Sequence, residues 1–363
     1  MKITGIDVYK VDVELVDELH STHTRYQVTE DVYIKITTDE GMVGFGSTAP
    51  KYYITGETQD TVIAVLKKRL IPVILGEDPF GFERIHEKMN QAIKYNSAAK
   101  TAIDIALHDL IGKALNIPVY QLLGGAYRTE MPAFDLIGLL SPEAAAERAL
   151  TQVKAGYQEF KVKVGPNPEL DLKRVEAVSK VVPERSIKID ANQAWDDKQA
   201  IALIEKFAQY GVTVVEQPVH MDDLDGLIMV KNFCPQVEIA ADESVKGITE
   251  ALRLIKLQAV DIFNIKLVKT GGIYYAKKLA AIAESAHINC MAGCTIQNTL
   301  LDAATAHFLA STKNVLFNEI KAPLWTRNDI AKGLNIENGK VLVPNGIGLG
   351  LEIDEERLSS FII

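Results

Sequence analysis

SIKIDAN (residues 186–192), VVEQP (214–218) and EIAADES (238–244) each begin as an apolar run and end in a polar loop. The acids that close them, Asp190, Glu216 and Asp242, follow one another at intervals of 26 residues. A short run rich in Val and Ile that gives way to polar residues reads as a buried strand. The pattern continues on both sides: FDLIG (134–138), EFKVKV (159–164), IFNIK (262–266), NCMAG (289–293) and VLFNEI (315–320) have the same character. Between them lie stretches with helical spacing, such as SPEAAAERALTQVKAG (141–156), which opens on a Ser-Pro-Glu start signal, and DKQAIALIEKFAQYG (197–211). Eight strand-helix units of this size predict an α/β fold in which a parallel barrel carries its chemistry at the C-terminal ends of the strands. A doubly wound open sheet would require a glycine-rich phosphate loop after an early strand. None is present, and the late stretch GIGLGLE (346–352) follows no strand-to-helix pattern and reads as a turn.

The first part of the chain differs. Residues 1 to about 50 alternate apolar and polar residues in a β-meander with a turn at Asp39, Glu40 and Gly41, and residues 57–123 turn helical, ending in AAKTAIDIALHDLIGKALNIP (98–118). The expected division is an α+β capping domain over 1–125, a barrel over 126–340, and a C-terminal segment, 341–363, returning to the capping domain. With 48 Asp and Glu against 39 Lys and Arg in 363 residues, no global positive field favours nucleic acid or an anionic membrane. No apolar run reaches membrane-spanning length, and three cysteines without histidines at ligand spacing supply neither a disulfide framework nor a zinc site, so a cytoplasmic protein is expected.

Three carboxylates converging from adjacent strand ends form a hard oxygen site suited to Mg²⁺. Such an ion would stabilise the enediolate formed when the carbon beside a substrate carboxylate loses its proton. Lysines bracket the acids. Alternation points Lys161 and Lys163 to one face, while Lys266 comes from a strand across the barrel. Two amines on opposite faces of one carbon can remove a proton on one side and return it on the other, with neighbouring cations and burial lowering a lysine's pKa enough for it to act as a base. Singly, each acid reads as well as a helix cap and each lysine as a surface group; their recurrence at one strand terminus argues for a joint site. Asn192, Gln217 and Glu243 either orient these groups or cap the segments that follow. Cys294 either lines the pocket or fills the core.

These motifs resemble the enolase superfamily, and within it the muconate lactonizing subgroup: KVKV with Lys161 and Lys163, IDAN at Asp190, EQP at Glu216, ADES at Asp242 and NIKLVKTGG at Lys266, together with residues 102–125. The resemblance implies a (β/α)₇β TIM-like barrel under an N-terminal capping domain. It also implies Mg²⁺ held by Asp190, Glu216 and Asp242, acid and base roles for Lys163 and Lys266, and a homo-oligomer acting on a small-molecule substrate with a carboxylate. The subgroup's Lys and Mg²⁺ chemistry is itself a standard case of tuned acid-base catalysis.

Its activities include cycloisomerization, syn-dehydration, N-acylamino acid racemization and dipeptide epimerization, so specificity has to be read elsewhere. Where dipeptide epimerases carry Asp-x-Asp, this chain has Glu319-Ile320-Lys321, and a cation there repels an α-ammonium and welcomes a carboxylate such as that of an N-succinyl group. In the capping loop Thr24 stands where epimerases acting on Ala-Glu carry Arg. Asp17 and Glu18 nearby either accept a cationic side chain or form a solvated tip. Tyr52 and Tyr53 either cover the pocket or pack the domains, and Ser47 replaces a Glu common among relatives. The expectation is a racemase of N-acylamino acids, with N-succinyl-Arg/Lys favoured; a dipeptide epimerase is the alternative and a one-base dehydratase or cycloisomerase the third.

Overall fold

The computed structural model describes every residue except 21–24, 166 and 184. Strands β1 (Ile3–His20), β2 (Arg25–Thr38) and β3 (Val43–Thr48) form an antiparallel sheet in the order β1-β2-β3. The β2-β3 turn passes through Gly41 at φ +76, a left-handed conformation that glycine adopts without a Cβ clash. The sheet buries Val8, Val11, Val13, Ile34 and Ile36. Over it lies the helix Ser97–Leu115, buried from Ala98 to Gly112 and so enclosed on all sides rather than amphipathic, with Lys100, Asp104, His108 and Asp109 among its buried residues.

After the short strand β4 (Glu130–Pro132) come eight strands in one sheet: β5 (Phe134–Ile137), β6 (Glu159–Lys163), β7 (Ser186–Asp190), β8 (Val212–Glu216), β9 (Glu238–Ala241), β10 (Ile262–Ile265), β11 (Asn289–Ala292) and β12 (Val315–Asn318). They are parallel and hydrogen-bonded in sequence order. The order wraps round: a bridge from Ala133 to Asn318 joins the two ends, helped by the Asn318 amide, which donates to the Pro132 carbonyl at 2.7 Å. This is the TIM-like barrel, nearly closed, with the antiparallel domain before it. Helices cover its outside, and the one beginning at Pro142 is capped by Ser141, whose Oγ accepts the Ala144 N–H.

Phe134, Val214, Ala240, Ile262, Met291 and Phe317 fill the barrel's interior. Among them the Lys188 ammonium, paired with Glu159, lies 4.6 and 4.1 Å from the ring centres of Phe134 and Phe317. This layer is the floor of the cavity above it. The tail returns to the first sheet, where the Lys10 N–H donates to Phe361 O and the Ile363 N–H to Val8 O. No helix among the described residues is long and apolar enough to cross a membrane.

Candidate active site

Period-two alternation on β6 points Lys161 and Lys163 to one side. In the ladder Lys163 stands opposite Asp190 and Asp190 opposite Glu216, while Glu216 faces Ala240, two residues before Asp242. Parallel pairing thus sets the acids in one row at the strand ends. Lys266 follows β10, four strands round the barrel from β6. Lys163 Nζ donates to Asp190 Oδ2 and, at 2.8 Å, to Asn192 Oδ1; Lys266 Nζ donates to Asp242 Oδ2 at 2.6 Å. Lys161 lies between them, 2.6 Å from Glu216 Oε2, 3.3 Å from Asp190 Oδ2, and bonded to Glu319 Oε1.

Burial works against every one of these charges, and ion pairing decides which survive. Burial pushes the Asp190 carboxyl up, but Lys163 and Lys161 outweigh it and hold the group below its ordinary range; Lys266 and Lys269 do the same for Asp242. Glu216 is raised to about 8, by burial first and then by the charge of Asp190. Lys266 runs opposite to the lowering expected from neighbouring cations: burial pulls it down, yet Asp242, Glu319 and Glu216 raise it well above its ordinary value. Three carboxylates within reach of one ammonium account for that difference.

Asn192, Gln217 and Glu243 lie against these groups. Asn192 bridges Lys163 and Glu243, donating to Glu243 Oε1 at 3.2 Å, and its own N–H donates to Asp190 Oδ1. Gln217 Oε1 accepts the N–H groups of Asp242 and Ser244, so the side chain after one acid anchors the next. Asn192, Gln193 and Gln217 all have φ between 38 and 69°, a left-handed backbone in non-glycine residues immediately after two of the acids.

Two participants escaped the sequence reading. Lys269, one helical turn past Lys266, donates to Asp242 Oδ1, to Asp242 O at 2.6 Å and to Asn264 O at 3.0 Å; the Lys-x-x-Lys spacing carries the signal. Asn264 Nδ2 donates to Glu216 Oε1 at 2.8 Å, from the β10 residue two before Lys266.

A cavity of about 1560 Å³ opens over the strand ends and extends under the first domain. Asp17, Glu18, Tyr53, Cys294, Glu319 and Lys321 all line it. The Cys294 N–H donates to Glu319 Oε2, and the Tyr53 hydroxyl accepts from Tyr26. Lys321 is buried in the cavity wall. Its ammonium pairs with Asp135 at 3.3 Å and sits 3.9 Å over the Tyr157 ring, where Asp135 also takes both arms of Arg148 from the outer helix. Thr24 lies outside the described residues. Ser47 is buried and donates to Asn298 Oδ1 at 2.8 Å, tying the first sheet to the barrel.

Among the described residues no group of three or more His, Cys, Asp or Glu side chains forms a ready metal cage, because lysine ammoniums hold the carboxylate oxygens. The donor chemistry nevertheless suits a hard cation: three buried carboxylates on neighbouring strands, one raised by burial and by the charge of another, and beside them Glu243 Oε2, buried with no hydrogen-bond partner among the described residues.

Comparison with known proteins places this geometry. Residues 5–124 match the family model "Mandelate racemase / muconate lactonizing enzyme, N-terminal domain", and residues 144–357 match "Enolase C-terminal domain-like". The chain is 35% identical to the N-succinyl-L-Arg/Lys racemase of Bacillus cereus, covering 100% of this chain and 98% of that protein. The crystal structure of the Bacillus cereus N-succinyl Arg/Lys racemase superposes with a TM-score of 0.96. A dipeptide epimerase from Enterococcus faecalis, solved with Mg and the dipeptide L-Leu-L-Tyr, has a TM-score of 0.93 at 35% identity, covering 97% of this chain and 100% of that one.

Proposed function

The chain belongs to the enolase superfamily, in its mandelate racemase and muconate lactonizing branch, and is an isomerase of the racemase and epimerase kind; from that we propose that it racemizes N-acylated amino acids, N-succinyl-Arg and N-succinyl-Lys foremost, by proton transfer between two lysines. The observation that carries this reading is the placing of Lys163 and Lys266 on opposite walls of one cavity, each against a different carboxylate. Lys163 on one face of the α-carbon removes or returns the proton, and Lys266 does so on the other, which inverts the centre. Asn192 aims Lys163, and Asp242 holds Lys266. Asp190, Glu216 and Asp242 would hold Mg²⁺, whose charge, when bound, stabilises the negative charge that grows on the substrate carboxylate.

The acyl end follows from charge. Lys321 and Arg148 both pair with Asp135, and although Asp17 also acts on Arg148, the two cations gathered at that edge of the cavity favour an acyl carboxylate over a free ammonium. Asp17 and Glu18, on the first-sheet side of the cavity, suit a cationic side chain. The dipeptide reading draws on Glu319, a carboxylate on the same cavity, which could take an α-ammonium.

Incubation in deuterated water with N-succinyl-L-Arg beside a dipeptide panel separates these readings. Deuterium uptake with inversion of the acyl amino acid is expected; inversion of dipeptides alone would replace this proposal, and elimination without inversion would point to a one-base enzyme. Lys163→Ala and Lys266→Ala should each abolish racemization, by about 10³-fold or more, with proton exchange surviving from one enantiomer only. Chelation with EDTA should stop turnover and Mg²⁺ restore it.

A further inference from the structure

Asp302 stands on the helix Thr299–Ala310, wholly buried behind the cavity wall. Its carboxylate gathers four donors from two different loops. Oδ1 accepts from Gln297 Nε2 at 2.6 Å and from the Cys294 thiol at 3.1 Å, both on the loop leaving β11. Oδ2 accepts the N–H groups of Ala322 at 2.6 Å and Lys321 at 3.0 Å, both on the loop leaving β12. Between these loops lies the Glu319 carboxylate, which accepts from the Cys294 N–H on the first and from Lys161 on β6. Lys161 in turn reaches Glu216 and Asp190.

We propose that Asp302 is a positioning residue: it locks the β11 and β12 loops together and thereby sets Glu319 against Lys161, so that the end of the cavity nearest the substrate's acyl group keeps its shape. It touches none of the reacting groups and acts through Glu319. A carboxylate has about four lone-pair sites, and here donors occupy all four. An amide at this position turns an NH₂ toward two of those donors and releases one loop. The inference rests on the reading of this cavity as the site of proton transfer.

The test is a double-mutant cycle on the full chain. Asp302→Asn should lower kcat/KM by about 10-fold or more, a loss of the size seen when groups that orient a ligand are removed. Asp302→Asn combined with Glu319→Gln should be no slower than Glu319→Gln alone, because coupled residues are not additive. Losses that multiply, or an Asp302→Asn enzyme with unchanged kinetics, overturn the proposal. Amide hydrogen exchange judges it without turnover: the segments 293–297 and 319–322 should exchange faster in Asp302→Asn while β6 to β9 stay protected. Uniform acceleration throughout the barrel would mean general destabilisation and also overturns it. Gln297→Leu, which removes one donor, should shift the same two segments more mildly. A wild-type protein that exchanges no α-proton from the acyl or dipeptide panel would refute the racemase reading, and the hydrogen-exchange result would still decide the role of Asp302.

Discussion

Lys269 meets Asp242 at both its side chain and its carbonyl, and it also holds the Asn264 carbonyl. Lys269→Met takes a donor from two buried carbonyls, of which Asp242 O keeps the Val245 N–H, and removes the counter-charge of a buried carboxylate, so a stability loss of about 2 to 4 kcal/mol is expected. A urea titration showing less than 1 kcal/mol would contradict that. His307 gives a pH signature. Its Nε2 donates to Leu349 O while Nδ1 accepts from Tyr120 N–H, and burial holds its pKa down near 4. An unfolded histidine titrates near 6.5, so the folded form binds the proton more weakly. The associated stability is complete above that value and drains away as pH falls toward 4, amounting to about 2 kcal/mol lost at pH 5. His307→Gln keeps a donor for Leu349 and cannot charge; the difference in its unfolding midpoint between pH 7 and pH 5 should be smaller than in the wild type. At this scale the sequence is legible for groups that repeat. Asp190, Glu216, Asp242, Lys163 and Lys266 announce themselves by spacing, whereas the aim of Lys321 depends on Asp135 and Arg148, which only the assembled barrel brings beside it.

Between elements, contact distance decides more than propensity. β3 meets the helix Ser97–Leu115 through Gly44 and Gly46, where an added Cβ would lie 2.3 Å from Ala106 O and 2.0 Å from Ala102 O. Neither backbone oxygen can yield without moving the helix. Gly46→Ala should therefore cost about 3 kcal/mol or more, with a matching fall in melting temperature. Gly5→Ala, with nothing within 4 Å of its Cβ position, should change little. The eight strands are legible because each apolar run ends in a loop at a regular interval. The near-total burial of the helix Ser97–Leu115 is less so: its Ala-rich pattern says helix, and its enclosure comes from the barrel and first sheet closing on it together.

For the whole molecule, the tail adds one more tie to those that join the first domain and the barrel. Leu358, buried near the end of the chain, and the pairing of residues 361–363 with β1 fasten the last segment to the first sheet. Leu358→Ala should cost about 2 to 5 kcal/mol and bring forward a single calorimetric transition; two separated transitions in the wild type would show the parts to be independent. The barrel's own circle is uneven. Among the described residues β5 and β12 meet through one bridge, Ala133 to Asn318, while β6, β7 and β8 are joined by full ladders. The stretch leading to Glu319 and Lys321 is therefore held from one side, by the β11 ladder and the Asp302 carboxylate, whereas the wall bearing Asp190 and Glu216 is laddered on both sides. Such a scaffold lets the side chains near the gap be exchanged while the row of strand-end acids stays where it is, so that one frame can take differently shaped guests.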